Sequence, residues 1–216
     1  LIYSRSESIG LLYDLMKRRE HQVKAVLSAS AVGFYGDRAN EILDEESFVG
    51  TGFLAHCCNE WEKAVDQGTE IGLRVAKFRI GLLLTPKGGV LEIFKLMVKT
   101  FTATKLGSGQ QWFPWIHSDD LIGMFLWAVE NDNVKGVFNA TAPNPVRNKE
   151  FTKTLSDVLH RPFWPLAIPK SMFKLLMGEK SELVLMSTHT KSDKIIKAGF
   201  TFKFLCLKTA LQDLTK

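Results

Sequence analysis

The chain has 216 residues, of which 45% are hydrophobic and 24% charged, and these proportions are those of a globular protein with a sizeable core. Its net charge of +5 arises in residues 147–216, which carry 13 Lys/Arg and 6 Asp/Glu. These basic residues are scattered and form no nucleic-acid-binding motif, so we interpret them as solvated helix faces and expect no nucleic-acid partner. No apolar run could span a bilayer and no signal-peptide layout is present, so we expect a cytoplasmic protein with no membrane partner.

The cysteine pattern indicates neither a disulfide framework nor a metal site. Cys57 and Cys58 are adjacent, Cys206 is far away, and no CxxC or His/Cys ligand spacing occurs. We therefore predict reduced thiols and no bound metal.

The first 84 residues predict alternating helices and strands. A helix is predicted over 4–19, a strand over 23–30, a helix over 53–68 and a nearly all-apolar strand over 73–84. In the second helix, Leu54, Cys58, Trp61 and Val65 form the apolar face. This order predicts a βαβ unit whose two strands are parallel and adjacent.

Shorter elements are predicted after residue 84. The strand-like segments in this part of the chain are short. Earlier in the chain, residues 37–52 form a predicted polar loop with little periodicity. The predicted series is a helix around 90–101, a glycine-rich loop over 105–111, a strand over 112–116, a helix over 120–131 capped by Ser118 or Asp119, a strand over 136–141, a helix to His160 capped by Asn148, an extended stretch over 163–169, and a helical tail with a strand-like segment over 199–204.

The first predicted strand runs into the segment SASAVGFYGD, residues 28–37. In doubly wound sheets, ligands bind beyond the carboxyl ends of the strands. Ser28 and Ser30 would place hydroxyls at that edge, and Gly33 and Gly36 would let the backbone pass close to a ligand. A tight turn without a ligand uses the same small residues, so the residues alone leave both interpretations open.

The order of the longer segments resembles a known family. SASAVGFYGD, a helix ending WEKAV, KFRIGLLLTPKGG, WFPWIHSDDLIG and GVFNATAPNPVRNKEF together resemble the extended short-chain dehydrogenase/reductase family. More narrowly they resemble its NAD(P)-dependent epimerase-like subfamily, sometimes labelled SulA-like. The tail GEKSELVLMSTHTKSDKIIKAGFTFKF is similar to that subfamily's small C-terminal domain of unknown function, so the resemblance covers essentially the whole chain.

The resemblance implies an α/β fold, namely the C-terminal part of a Rossmann-like parallel sheet carrying a small, mostly helical substrate lobe. It implies a partial NAD(P)-binding domain with interleaved substrate segments over 1–145 and a helical substrate or accessory domain over 146–216. The family begins with a glycine-rich βα turn that cradles the dinucleotide pyrophosphate. No GxGxxG occurs in this sequence, so we expect it to be the C-terminal part of a longer protein.

The implied function is that of a nicotinamide-dependent oxidoreductase or epimerase-like enzyme acting on a small molecule. NADP or NAD would be bound by the full-length protein and weakly or not at all by this chain alone. The family's proton-transferring Tyr-x-x-x-Lys pair falls at Leu54 and Cys58, and neither side chain can replace it. A non-catalytic dinucleotide-binding or regulatory protein, or a chain without activity, is therefore the alternative, and the sequence indicates neither the substrate nor the oligomeric state.

The resemblance also implies the candidate site residues. Ser30 matches the family's catalytic Ser/Thr if Gly33-Phe34 holds a one-residue insertion, and Ala31 matches it otherwise. Tyr35 is either a proton donor or an aromatic packed under the turn. The cofactor-binding candidates are Ser28, Ala29, Ser30, Arg79, Ile80, Gly81 and Leu82, and the substrate-binding candidates are Trp112 and Arg147. Gln111 and Trp115 are further candidates for the cleft wall, and the alternative for the two tryptophans is a position in the core.

Several of these candidates have a structural interpretation as well. Arg79 lies inside an apolar strand, so it pairs either with a carboxylate or with a ligand phosphate. Arg147 binds a ligand anion or is a surface loop residue. Cys58 is predicted to be a buried core residue, and His117 to be a structural hydrogen-bonding residue rather than a catalytic base.

Overall fold

The computed structural model describes residues 2–169 and 185–216. The α-helices are α1 (Ile2–Arg18), α2 (Phe53–Asp66), α3 (Gly89–Lys99), α4 (Ser118–Glu130), α5 (Asn148–Val158), α6 (Asp193–Lys197) and α7 (Leu207–Leu214). The strands are β1 (Ala25–Ala31), β2 (Ile42–Leu43), β3 (Arg74–Ile80), β4 (Leu82–Leu84), β5 (Thr104–Leu106), β6 (Trp112–Phe113), β7 (Trp115–His117), β8 (Gly136–Ala140), β9 (Val146–Arg147), β10 (Trp164–Ile168) and β11 (His189–Thr190). Short 3-10 helices cover Val32–Tyr35 and Gln67–Ile71.

The central sheet is parallel and has the strand order β1-β3-β8. Ala25 is opposite Arg74 and Ala31 is opposite Ile80, so β1 and β3 pair along their whole length. Helix α2 lies between these two strands in sequence and contacts both of them. The predicted parallel, adjacent strands with a helical crossover are therefore confirmed, and the α/β fold class with them.

The sheet has one apolar face and one polar face, because successive side chains of a strand point to opposite sides. On the apolar face, Ala76 and Phe78 of β3 pack with Met124 and Ala128 of α4 in one core cluster. On the other face, Lys77 and Arg79 of β3 pair with acidic side chains of α2. The sheet is thus covered by α4 on one side and by α2 on the other, as expected for a doubly wound arrangement.

The long strand predicted over 73–84 is divided in the structure. Gly81 separates β3 from β4, and β4 leaves the central sheet to pair in parallel with β7. The strand predicted over 112–116 is likewise broken by Pro114 into β6 and β7. A proline has no backbone N–H to donate to a neighbouring strand, so it interrupts the strand. The Pro114 carbonyl accepts a hydrogen bond from the Leu82 backbone N–H at 2.7 Å.

Further differences lie in the loop over 37–52 and in the tail. The loop contains the short strand β2, which pairs in parallel with β11. The segment 199–204 is not a strand; its Phe200, Phe202 and Phe204 are buried and anchor the chain between α6 and α7. The tail predicted as mostly helical includes residues 170–184, which lie outside the described ranges, and a boundary between domains at residue 145 remains a prediction. Within the described part of the chain, no helix is long and apolar enough to cross a membrane.

Two predicted helix caps are wrong. The residue before α4 is His117, and its Nδ1 accepts the Asp119 backbone N–H at 3.0 Å, so neither Ser118 nor Asp119 is the cap. Asn148 is the first residue of α5, and its side-chain Oδ1 accepts the Leu106 backbone N–H at 2.8 Å instead of capping its own helix. Both side chains are fully buried, so tertiary contacts override the local capping preference. The structural role predicted for His117 agrees with this geometry.

The geometry of His117 predicts that acid destabilises the fold. Its ring stacks on Phe204 at 3.8 Å, and its Nε2 lies 3.6 Å from Asp213 Oδ2. The other nearby charges are those of Asp119, Asp120 and Lys203. Burial lowers the pKa of His117 below 6.5. As pH falls below that value, the unfolded state takes up the proton before the folded state does, so the free energy of unfolding decreases.

We expect wild-type protein to be less stable near pH 5 than near pH 7.5 in denaturant unfolding monitored by circular dichroism. His117→Asn keeps a capping acceptor but cannot be protonated, so its loss of stability on acidification should be smaller. His56→Asn, at an exposed position of α2, is the control and should behave as wild type. An unchanged pH dependence in His117→Asn would contradict this role.

Candidate functional site

A cavity of about 300 Å³ opens at the carboxyl ends of β1 and β3. Most of its lining is apolar, and no charged side chain contributes among the described residues. The lining residues are Ala31, Val32, Gly33, Ile80, Gly81, Leu82, Leu83, Gly89, Val90, Trp112, Phe113, Pro114, Met186 and Thr188. The cavity therefore lies at the position where parallel α/β sheets hold their ligands.

The predicted site residues divide into two groups. Ile80, Gly81, Leu82 and Trp112 line the cavity, whereas the other candidates do not. Ser28 is half-buried in β1 and donates its hydroxyl to the Ala29 carbonyl at 3.0 Å. Trp115 is fully buried in the neighbouring core, and Gln111, four residues before it, is also buried, so neither residue is a wall of the cavity.

A row of polar side chains lies in the sheet directly below the cavity. The strand register places Ser30 opposite Arg79 and Arg79 opposite Asn139, across β1, β3 and β8. All three residues are buried, with 4%, 4% and 0% of their surface exposed, respectively. Residues paired in this way point to the same face of the sheet. Ser30 and Arg79 meet α2 there, and Asn139 meets Tyr35.

Glu62 of α2 connects this row by charge-assisted hydrogen bonds. Its Oε1 accepts from Ser30 Oγ at 2.7 Å and from Arg79 Nε at 2.8 Å, and its Oε2 accepts from Arg79 NH2 at 2.9 Å. The guanidinium also lies 3.4 Å from the Phe34 ring centroid. The sequence left a carboxylate and a ligand phosphate open as partners of Arg79, and the structure shows the carboxylate. The predicted direct contacts of Arg79 and of the Ser30 hydroxyl with a cofactor do not agree with this geometry.

Tyr35 belongs to the same network and is not a proton donor facing the cavity. Its hydroxyl donates to Asn139 Oδ1 at 2.7 Å and accepts from Arg79 NH1 at 3.0 Å. The side chain is fully buried, and this burial raises its pKa to about 12. The packed-aromatic interpretation therefore fits, and the catalytic assignment does not, because the hydroxyl has no access to a ligand.

The two residues at the family's Tyr-x-x-x-Lys positions lie next to the cavity. A Cβ built on the cavity residue Gly33 would be 3.6 Å from Leu54 Cβ and 3.7 Å from Cys58 Sγ. Leu54 is half-buried and Cys58 is buried, so the predicted core position of Cys58 is confirmed. An apolar pair therefore stands where the resemblance would place a proton donor and an ammonium group.

The environment of Cys58 predicts a slow thiol. Burial, followed by the charge of Glu62, raises the pKa of Cys58 to about 11. In a Cys57→Ser/Cys206→Ser variant, we expect Ellman's reagent to react at least ~100-fold more slowly with native than with denatured protein, since only the thiolate reacts. A Cys57→Ser/Cys58→Ser variant, which keeps the exposed Cys206, is the control. Rapid modification of Cys58 in native protein would show that the turn above it opens.

Arg147 lies beside the cavity and away from the buried network. It is opposite Trp112 in the antiparallel β6–β9 pair, and its guanidinium carbon is 4.4 Å from the Trp112 ring centroid. Ser30, Tyr35, Arg79 and Arg147 therefore do not share one cleft. The first three are joined below the cavity, and Arg147 is adjacent to the cavity wall.

The cavity fits one part of a dinucleotide cofactor. A nicotinamide ring is planar and has apolar faces, which suit walls made of alanine, glycine and branched aliphatic side chains. A diphosphate needs cations or free amides, and the described lining offers no charged group. The residues present thus fit the nicotinamide end and leave the diphosphate outside this cavity.

Sequence reasoning missed Glu62, Asn139 and much of the lining. A signal for Glu62 was available in the sequence. An arginine inside an apolar strand predicts a carboxylate partner, and Glu62 lies one helical turn after Cys58, on the face of the helix that is predicted to be buried. No such signal exists for Met186 and Thr188, because they reach the cavity from the distant end of the chain.

Comparison with known proteins places the chain in a family. The model of the NAD dependent epimerase/dehydratase family matches residues 9–141, and a domain of unknown function, DUF1731, matches residues 168–214. The chain is 38% identical to an epimerase family protein of Staphylococcus aureus, with all of this chain and 72% of that protein covered.

Solved structures agree with this match. The human epimerase family protein SDR39U1, solved with NADPH, is similar with a TM-score of 0.89 and 26% identity over 99% of this chain and 72% of that chain. A nucleoside-diphosphate sugar epimerase from Corynebacterium glutamicum has a TM-score of 0.81 and 33% identity over 98% of this chain and 41% of that chain. The chain therefore belongs to the NAD-dependent epimerase/dehydratase family and carries a DUF1731 domain in its C-terminal part.

Proposed function

We propose that this chain holds the nicotinamide ring of NADP(H) or NAD(H) in the cavity and takes part in a redox step on a small-molecule substrate. The observation that carries the proposal is the apolar cavity at the carboxyl ends of β1 and β3, which residues 80–83 line. The human relative solved with NADPH supports the choice of cofactor. When bound, the nicotinamide ring would supply a hydride donor or acceptor.

The chain's own residues would orient this ring and exclude water from it. The walls at Ile80–Leu83 and at Trp112–Pro114 are held together because the Leu82 N–H donates to the Pro114 carbonyl at 2.7 Å. The network of Ser30, Glu62 and Arg79 would keep the ends of β1 and β3 in register below the ring. These contacts position a ligand without supplying a proton.

The described lining of the cavity offers few groups for acid–base chemistry. Thr188 carries the one hydroxyl among the described lining residues, and Leu54 and Cys58 replace the usual Tyr and Lys. A reaction here would therefore depend on hydride transfer and on a proton exchanged by the Thr188 hydroxyl, the substrate or solvent.

The test is a fluorescence titration of the 216-residue chain with NADPH and with reduced nicotinamide mononucleotide. We expect weak, similar affinity for both, because this sequence contains no glycine-rich βα turn to bind the diphosphate. Leu82→Trp adds bulk to the cavity wall and should abolish binding. The exposed Leu96 provides the control Leu96→Trp, which should bind normally.

The human relative solved with NADPH serves as the positive control for the assay. Binding that survives Leu82→Trp would contradict the placement of the ring. Micromolar binding of NADPH but not of the mononucleotide would show that this chain has a diphosphate site elsewhere. Binding of both ligands, with no turnover by the chain on any sugar nucleotide, aldehyde or ketone supplied with NADPH, would favour the non-catalytic alternative.

A further inference from the structure

Three side chains form a stack beside the cavity. Trp112 lines the cavity, the Arg147 guanidinium carbon lies 4.4 Å from its ring centroid, and the His189 ring lies 3.8 Å away at an interplanar angle of 10°. Trp112 is also fixed by its indole N–H, which donates to Asn40 Oδ1 at 3.2 Å. The stack thus joins β6, β9 and β11.

The guanidinium of Arg147 is oriented but not neutralised by the described residues. Its NH1 donates to the Gln110 carbonyl, and Trp112 supports its plane. None of the ion pairs in residues 2–169 and 185–216 includes Arg147, although this residue is half-buried. Its remaining N–H groups are consequently available to an anion.

Further cationic residues lie near the stack, and the charges of Arg147 and Lys191 both act on His189. Lys105 and Lys149 both pack against Gly109, next to the residue that accepts from Arg147. His189 is hydrogen-bonded to the Asn40 backbone, and burial together with the charges of Arg147 and Lys191 lowers its pKa. The field at the stack therefore favours an anion.

We propose that the stack of Arg147, Trp112 and His189 recognises an oxyanion, and that the ligand of this site is a small amphipathic anion. Its carboxylate or phosphate would bind Arg147 in a bidentate manner, and its apolar part would enter the cavity. A charge inside the uncharged cavity would lose its hydration without compensation, so the anionic group belongs at the stack. This inference rests on the proposed function in one respect, because the nicotinamide ring and the apolar part of the anion would bind in the same cavity.

Isothermal titration calorimetry of the 216-residue chain with hexanoate, hexyl phosphate and hexanamide tests the inference, without any cofactor present. We expect one or both anions to bind at least about tenfold more tightly than the neutral amide, since a hydrogen bond to a charged group is stronger than a neutral one. Comparison of hexanoate with hexyl phosphate identifies the preferred oxyanion. Arg147→Gln should weaken the preferred anion about tenfold and leave hexanamide unchanged.

Arg161→Gln is the matched control, because Arg161 also stacks on an aromatic ring, at 4.9 Å from Phe101. Arg147→Lys keeps the charge but loses the planar fork, and an intermediate affinity is expected even if Arg147→Gln folds poorly. Equal affinity for the amide and the anions, no binding of either anion, or full affinity in both Arg147 variants would overturn the inference. If an anion binds but reduced nicotinamide mononucleotide does not, the proposed function is overturned and the anion site is not. Leu82→Trp should lower the affinity for the anion and for the mononucleotide.

Discussion

Replacing Glu62 with glutamine is expected to lower the free energy of unfolding by about 3–5 kcal/mol. Glu62 accepts hydrogen bonds from Ser30 and Arg79, and only 5% of its surface is exposed. In the variant, the Arg79 guanidinium stays buried but loses its counter-charge, and the amide N–H₂ group faces its donors. Breaking a buried ion pair from one side is costly because the remaining charge cannot be rehydrated.

The measurement is denaturant unfolding at neutral pH, with Glu60→Gln as the control. Glu60 lies on the same helix and pairs with the exposed Lys63 at 2.8 Å, so its loss should cost far less, because solvent screens an exposed ion pair. A double variant, Glu62→Leu/Arg79→Leu, removes both charges and should recover part of the lost stability. Similar stability of Glu62→Gln and Glu60→Gln would show that Arg79 reaches water or another partner.

Gly81→Ala is expected to destabilise the protein by roughly 3 kcal/mol or more. A Cβ at this position would lie 1.9 Å from the Pro114 carbonyl oxygen and 2.7 Å from Thr141 Cγ2. Neither neighbour can move alone, because the Pro114 carbonyl accepts from Leu82 and Thr141 follows β8. The junction between β3 and β4 must therefore separate from the β6–β7 segment, and this change would also distort the cavity.

Gly10→Ala is the opposite case and serves as the control. A Cβ on Gly10, inside α1, meets nothing within 4 Å. This substitution should stabilise the protein by about 0.5–1 kcal/mol, since alanine favours the helix. Denaturant unfolding of both variants gives the signs directly, and a Gly81→Ala variant as stable as wild type would contradict the close approach at Pro114.

The parallel βαβ core could be predicted from the sequence because its signals are local. The apolar residues of 73–80 and the periodic face of α2 with Cys58 and Val65 both favour burial, whatever the rest of the chain does. The position of Arg79 within an apolar strand likewise predicted an anionic partner for its guanidinium. Its identity could not be predicted, since Glu62 and Tyr35 meet it only through the packing of α2 and the β1 turn on the sheet.

Part of the cavity lining could also be predicted from the sequence. Ile80, Gly81 and Leu82 were placed at the cavity by the resemblance and by the rule that ligands bind at strand carboxyl ends. Ser30 and Tyr35 do not line the cavity, because the side-chain alternation and the 3-10 turn after β1 direct their hydroxyls into the buried network.

The sequence by itself determined the alternation of elements, the apolar strand next to β1, the buried Cys58 and the need of Arg79 for a partner, because each follows from local periodicity or from the cost of burying a charge. The tertiary structure alone decided which hydroxyls are accessible, which carboxylate neutralises Arg79, and which distant residues close the cavity. These outcomes depend on strand register and on contacts across more than a hundred residues, such as that of Tyr35 with Asn139, and no local pattern encodes such contacts.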